Sequence, residues 1–191
     1  MNKAIFLDRD GTLIKEVNYL TKKNDIHILE GVKEALSCFN KLGFLNIVIT
    51  NQSAVARGYL TEKVLKEIHS DLLNKLNTKK THLLNDIFYS PFHRDGVIKK
   101  YSKESFYRKP GTGLILKAAL IYNINLDKSF FIGDSLVDMQ CAENMKLNKI
   151  LVLTGYGKKA LSECKKNKIK IDYVASDLLD ASKFIKKYLE F

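Results

Sequence analysis

Cysteine is scarce in this chain of 191 residues. Cys38, Cys141 and Cys164 stand far apart and odd in number, so their spacing offers neither a disulfide framework nor a metal-ligand set. They are expected to be reduced, mostly packed thiols. Proline is scarcer still: the two present, Pro91 and Pro110, bracket the one segment with weak periodicity and many charges. A loop of that length in a compact domain is usually functional or mobile. No apolar run approaches the ~20 residues of a membrane span, and the N-terminus lacks a signal-peptide pattern, so a cytoplasmic location without membrane contact is expected. Repeats, low-complexity tracts and linkers are missing as well. Zinc-finger spacing, an aromatic RNA-binding signature and basic-region heptads are all absent. That matters because the formal charge is +11, and a basic protein can bind nucleic acid. The lysines, however, are spread over most of the chain, many at solvent-facing helical positions such as Lys63, Lys66, Lys75, Lys183 and Lys187. The preferred reading is a solvated basic surface that can steer an anionic substrate, with nucleic-acid binding as the rival from another class.

What is present is enough for one core: 46% of residues are hydrophobic, and a single domain over 1–191 is the default, expected to be a monomer. Short β-rich runs alternate with helical patterns, which predicts an α/β fold, a parallel sheet covered on both faces. Strands are placed near residues 4–8, 45–50, 86–90, 129–133, 149–153 and 172–175. The first helix follows Gly31, with Val32, Ala35, Leu36 and Phe39 at helical spacing and Gly43 as its stop. Thr61 caps the second, with Val64, Ile68 and Leu72 as its apolar face. Further helices are expected near 112–122, 136–146, 158–167 and 177–189. The last carries a stripe of Leu178, Ala181, Ile185 and Tyr188.

The run Ala4-Ile5-Phe6-Leu7 leads into Asp8-Arg9-Asp10-Gly11-Thr12. Residues i and i+2 of an extended backbone point to one side, so Asp8 and Asp10 are expected to share a small site, with Arg9 pointing away. Two anions that close repel unless a cation or proton intervenes. Mg²⁺, which takes oxygen ligands and pairs carboxylates with phosphate, answers that need. In open α/β sheets ligands bind beyond the carboxyl ends of the strands. The other chemistry-bearing residues fall there: Thr50-Asn51-Gln52-Ser53 after the second strand, Gly133-Asp134-Ser135 and Asp138 after the fourth. Lys109 precedes a helix and is expected to be extended because Pro110 follows it. A carboxylate can attack phosphorus and split hydrolysis into two displacements, the role given to Asp8. A second carboxyl can protonate the leaving alkoxide and then accept a proton from water, the role given to Asp10. Thr50 and Asn51 can donate to phosphoryl oxygens, and Lys109 can neutralise developing charge. Asp134 adds a metal oxygen, and Asp138 orients the metal shell or Lys109. Each residue alone has a bland reading as a turn residue, helix cap or solvated charge. The ordered set, each member after the right kind of element, makes coincidence a poor account.

With these residues in place the chain resembles the haloacid dehalogenase superfamily of aspartyl-phosphate phosphatases, whose pattern is DxDGT, a Thr after strand two, a Lys, and a later GDxxxD. The match is Asp8 to Thr12, Thr50, Lys109, and Gly133 to Asp138. The resemblance implies a three-layer Rossmann-like sheet, and Mg²⁺ held by Asp8, Asp134 and the backbone oxygen of Asp10. Finer stretches are similar to one subgroup, the heptose 1,7-bisphosphate 7-phosphatases and related histidinol phosphatases. They are Phe6 to Thr12, Thr50 to Ser53 with Ala56-Arg57-Gly58, and Arg108-Lys109-Pro110. In that subgroup the turn matching Val17-Asn18-Tyr19-Leu20 contacts substrate, and residues matching Arg108 and Lys109 hold phosphate.

The subgroup implies removal of the 7-phosphate of a heptose 1,7-bisphosphate, a heptose precursor step for surface polysaccharide, with histidinol phosphate as runner-up substrate. Basic residues Arg57, Arg94, Lys99, Lys100 and Lys103 are candidates for the distal phosphate. Two departures stand out. Many members bind zinc in the long loop through Cys-x-His and Cys-x-Cys, but the matching positions here are Ser90, Phe92, Ser105 and Tyr107. None is a reasonable zinc ligand, and the adjacent His93 cannot make a site alone. No zinc is expected, and Phe92, Phe106 and Tyr107 are expected to hold the loop by packing. Ser135 stands where relatives often have Lys. The intervals between motifs are too short for a cap domain, so an open site is expected, selective through loops 15–25, 51–58 and 91–108. An open site also admits extended substrates such as a nucleic-acid end.

Overall fold

The computed structural model describes residues 1–190. Six strands form one parallel sheet: β1 (Lys3–Leu7), β2 (Phe44–Asn51), β3 (Asp86–Ser90), β4 (Phe130–Gly133), β5 (Asn148–Val152) and β6 (Tyr173–Ala175). Their order across the sheet is β3-β2-β1-β4-β5-β6. The chain therefore winds outward from β1 to one edge, returns, and winds to the other, leaving a switch point between β1 and β4. Six helices complete the layers: α1 (Val32–Lys41), α2 (Glu62–Leu76), α3 (Gly113–Tyr122), α4 (Leu136–Asn144), α5 (Gly157–Lys166) and α6 (Leu178–Leu189).

The period-two pattern of β1 sorts the two cores. Ile5 and Leu7 pack with residues of α1, α2 and α6, whereas Ala4 and Phe6 pack with residues of α3, α4 and α5. A strand buried on both faces reads as a continuous apolar run, as Ala4 to Leu7 of β1 does. Each strand and helix lies within about two residues of its sequence prediction, the usual slack at element ends. Thr61 caps α2, its hydroxyl accepting from the Val64 N–H at 3.3 Å. Gly43 follows the end of α1 with φ of 81°, a conformation that favours glycine. Two stripes differ from expectation. Val64 is only half-buried while Leu65, His69 and Leu76 are buried, so the inward face of α2 is rotated by one residue. Tyr188 is more than half exposed, resting its ring edge against Phe130 at 5.8 Å between centroids.

Among the described residues no cap domain interrupts the sheet. A turn of 3-10 helix (Lys23–Asp25) and α1 fill the first interval between motifs. α2, β3 and the loop to Arg108 fill the second. No described helix is long and apolar enough to cross a membrane.

Candidate active site

The carboxyl ends of β1, β2 and β4 converge on one acidic centre. The Asp8 N–H extends the sheet by donating to the Ile132 carbonyl at 3.0 Å. Its side chain follows the parity of Phe6, toward the layer of α3 and α4. There Lys109, 3% exposed, places Nζ 2.7 Å from Asp8 Oδ1 and 2.6 Å from Asp138 Oδ1. Asp8, Asp134 and Asp138 each bring an oxygen within 4.8 Å of the others. Asp138 is in the first turn of α4, and its other oxygen accepts from the Ser135 N–H at 3.0 Å and hydroxyl at 2.5 Å. Ser135 thus fixes the carboxylate that fixes Lys109.

Gly11 and Gly155 close the floor of the centre. Both have positive φ, and a Cβ on either would lie 2.0 Å from Asp134 Oδ2. Only glycine lets the turns after β1 and β5 press onto that carboxylate. The Tyr156 N–H then donates to the same oxygen at 2.8 Å, and the Thr154 hydroxyl binds the Gly11 carbonyl at 2.6 Å.

Burial raises the Asp8 carboxyl to about 7, with Asp138 and Asp10 adding to the rise against the pull of Lys109. Burial likewise raises Asp134 to about 8, reinforced by Asp8 and Asp138. Burial alone would lower the Lys109 ammonium, but Asp138 and then Asp8 hold it above its ordinary value. One cation is thus shared among three buried carboxyls, and a divalent cation on oxygen ligands would relieve the excess. The donor set fits Mg²⁺ and not a soft metal.

Asp10 departs from expectation. β1 ends at Leu7, and the turn that follows, closed by the Leu13 and Ile14 N–H groups on the Arg9 carbonyl, breaks the two-residue parity. The Asp10 carboxylate therefore stands outside the acidic triad. It accepts from Arg9 Nη2 at 2.8 and 2.9 Å and from Gln52 Nε2 at 2.9 Å. Arg9, expected to point away from the site, does enter the opposite layer, yet its guanidinium curls back to grip its neighbour. Gln52 also donates to Thr50 Oγ1 at 2.9 Å, leaving the Thr50 hydroxyl proton free to donate.

Asn51 has a backbone contact that its sequence position did not predict. Its side chain donates to the Lys109 carbonyl and accepts from the Lys109 N–H, both at 3.0 Å, so it clamps the lysine backbone. Leu20 packs in the core, 3% exposed, because its turn folds inward there. Of that turn, Asn18 accepts from the Tyr156 hydroxyl at 3.1 Å and Tyr19 meets the Tyr59 ring at 4.8 Å, while Val17 is partly buried against the core. The Ser53 carbonyl accepts from the Arg57 N–H, opening the tight turn of loop 53–58.

Burial, and after it the charge of Arg57, lower the Arg108 guanidinium. Arg57 Nη2 lies 3.4 Å from His93 Nε2, and Arg108 Nη1 donates to the Phe92 carbonyl at 3.1 Å. Neither arginine forms an ion pair among the described residues. The other basic candidates are engaged elsewhere. Arg94 lies near Asp95 and Glu104, Lys100 over Tyr101 and Lys103 over Phe92, while Lys99 is exposed.

The long loop is held by contacts that its aromatic residues only partly foretold. Glu62, at the start of α2, accepts from the Tyr89 hydroxyl at 2.7 Å and the Tyr101 hydroxyl at 2.6 Å. The Val97 and Ile98 N–H groups both donate to the Ala56 carbonyl. Phe92 packs against Tyr101, but Phe106 and Tyr107 meet each other while half-exposed. A cavity of about 660 Å³ lies beside this loop, lined by Val55, Tyr59, Leu60, Val64, Ile98 and Tyr101. Its lining is mostly apolar and includes none of Asp8, Lys109, Asp134 and Asp138.

Similarity to known proteins identifies the family. A family model described as HAD-hydrolase-like matches residues 106–181. The D-glycero-beta-D-manno-heptose-1,7-bisphosphate 7-phosphatase of Pasteurella multocida is 35% identical over 187 residues, 97% of this chain and 98% of the relative. This chain belongs to the haloacid dehalogenase-like phosphatases. A second relative from this family, the D-glycero-D-manno-heptose-1,7-bisphosphate 7-phosphatase of Thermosynechococcus vestitus, is 32% identical over 97% of this chain and 96% of its own length. The D,D-heptose 1,7-bisphosphate phosphatase of B. bronchiseptica, solved with magnesium and phosphate, superposes with a TM-score of 0.84 at 26% identity. The match covers 97% of this chain and 99% of that one. The phosphatase fold and activity read from the motifs are thereby supported.

Sequence reasoning missed His69, Glu62 and Gly155 altogether. His69 had a signal: it falls on the Leu65, Leu72, Leu76 stripe of α2, where a polar residue is out of place unless partnered. Glu62 and Gly155 had none, since their partners come from distant segments.

Proposed function

We propose that this phosphatase removes the 7-phosphate of a D-glycero-D-manno-heptose 1,7-bisphosphate through a phosphoaspartate on Asp8. The observation that carries the chemistry is the shared contact of Lys109 with Asp8 and Asp138, beside Asp134, at the switch point of the sheet. The relatives named for that substrate match almost the whole chain and support the substrate class.

Asp8, Asp134 and the Asp10 carbonyl would hold Mg²⁺, with Asp138 behind them. When bound, the ion neutralises phosphoryl charge and keeps the attacking carboxylate ionised. The chain's own groups do the rest. An Asp8 oxygen attacks phosphorus while Lys109 and the Thr50 hydroxyl stabilise the equatorial oxygens. The P–O bond to the sugar breaks, and the Asp10 carboxyl gives its proton to the departing oxygen, which leaves as the alcohol. Water then attacks phosphorus, its proton passes to Asp10, and the P–O bond to Asp8 breaks to release orthophosphate. Arg57 and Arg108, two guanidinium groups without acidic partners, serve the distal phosphate. The loop carries out this work without zinc, since Glu62 and the Ala56 carbonyl already hold it.

The test is a panel of phosphorylated metabolites with both heptose bisphosphate anomers and histidinol phosphate. The expected result is Mg²⁺-dependent release with the highest kcat/KM on a heptose bisphosphate. A clear preference for histidinol phosphate would overturn the substrate assignment while leaving the phosphatase intact. Stoichiometric zinc by elemental analysis would overturn the zinc-free loop.

A further inference from the structure

We propose that His69 is a positioning residue for the acid/base carboxylate, fixing the Arg9 guanidinium that in turn fixes Asp10. The inference rests on the acid/base role of Asp10 given above.

Arg9 is the largest fully buried side chain of the protein, 1% exposed, in the layer opposite the acidic centre. Its Nε and Nη2 both face Asp10, at 3.2 Å and 2.8 Å from Oδ1. A guanidinium held on one edge alone can still swing about its long side chain, and the carboxylate would swing with it. His69 supplies the other anchor, its Nε2 3.0 Å from Arg9 Nη1. Arginine has no acceptor, so the imidazole must accept, which puts a lone pair on Nε2 and the proton on Nδ1. Burial and the Arg9 charge push the His69 imidazole down to about 3, keeping it the neutral acceptor the contact needs. The ring cannot turn away easily. Tyr89 meets it edge-on at 5.2 Å between centroids, and the Tyr89 hydroxyl is tied to Glu62. Gln52 closes the arrangement from the other side of Asp10.

A space-filling role and a positioning role make different predictions. His69→Leu fills the volume without an acceptor. His69→Gln carries an acceptor the same number of bonds from Cα as Nε2, and His69→Asn carries it one bond short. All three are compared with wild type on p-nitrophenyl phosphate and on whichever sugar phosphate of the panel the wild type turns over best. Nitrophenolate leaves without a proton, so its single-turnover release should stay within about twofold of wild type in every folded variant. On the sugar phosphate, His69→Leu should lose about tenfold in kcat with KM unchanged, and His69→Gln should recover most of it. If His69→Leu does not fold, the Gln and Asn variants decide, with Asn expected to behave as Leu would. Unchanged kcat in the variants lacking the acceptor, or equal loss on both esters, would overturn the inference. A wild type inert toward both esters would overturn the phosphatase reading and this inference with it. A wild type active on esters other than the heptose bisphosphate leaves the comparison valid.

Discussion

Asp8 shares the buried ammonium of Lys109 with Asp138, and Asp134 lies close to both. The proposed role of Asp8 is covalent, so the decisive change is the smallest one. Asp8→Asn keeps the shape and removes the nucleophilic oxygen, and the expected outcome is loss of detectable phosphate release with retained folding. Folding survives because Lys109 keeps Asp138 as a partner at 2.6 Å. Phosphate release and thermal melting by circular dichroism check the two halves, and an active Asp8→Asn protein would sink the covalent mechanism. Residue identity pointed to Asp8, Thr50 and Asp134 at strand ends and to Lys109 just before Pro110 and a helix. It could not announce what Asn51 and Arg9 do, since their partners are the Lys109 backbone and a histidine on α2.

At the scale of elements, periodicity located the strands and helices to within about two residues, though it misplaced Val64 on the inward face of α2 and Tyr188 on that of α6. Parity sends Phe6 one way and Leu7 the other and still places Asp8; beyond Asp8 the rule fails because the chain turns. That is why Asp8 and Asp10 part company despite their spacing. The 91–110 loop has no such periodicity, and its order comes from anchors to α2 and to the 53–58 turn. Tyr101→Phe removes the donor to Glu62 at 2.6 Å. The cost should be about 1 kcal/mol, below a fully buried charged bond because Glu62 is partly exposed. Faster amide exchange confined to the loop, at His93 and Tyr101 whose backbones pair at 3.1 Å, is the expected signature. Unchanged exchange would mean that the Ala56 carbonyl holds the loop alone.

For the whole molecule, the acidic centre couples metal, protons and stability. Asp8 and Asp134 start from 3.8 and are raised to about 7 and about 8. The metal-free folded state therefore keeps protons that the unfolded chain has released, and stability falls as pH rises from about 4 to about 8. Mg²⁺ competes with those same protons. Its stabilisation, read as the melting shift on adding Mg²⁺ to chelator-treated protein, should be small near pH 5 and large near pH 8. A shift that is equal at both would show that these carboxyls are not its ligands. The net charge of +11 enters only at this scale, as a field that favours anions. The sequence by itself determined the layered parallel fold, the carboxyl-end location of the site and its phosphoryl chemistry, because alternation, helix caps and motif spacing are local properties. Only the tertiary structure decided which carboxylates meet and which arginines go unpaired. It also decided what holds Asp10 and Lys109 in place. Those contacts join residues up to 101 positions apart, and their distances are set by the packing of layers.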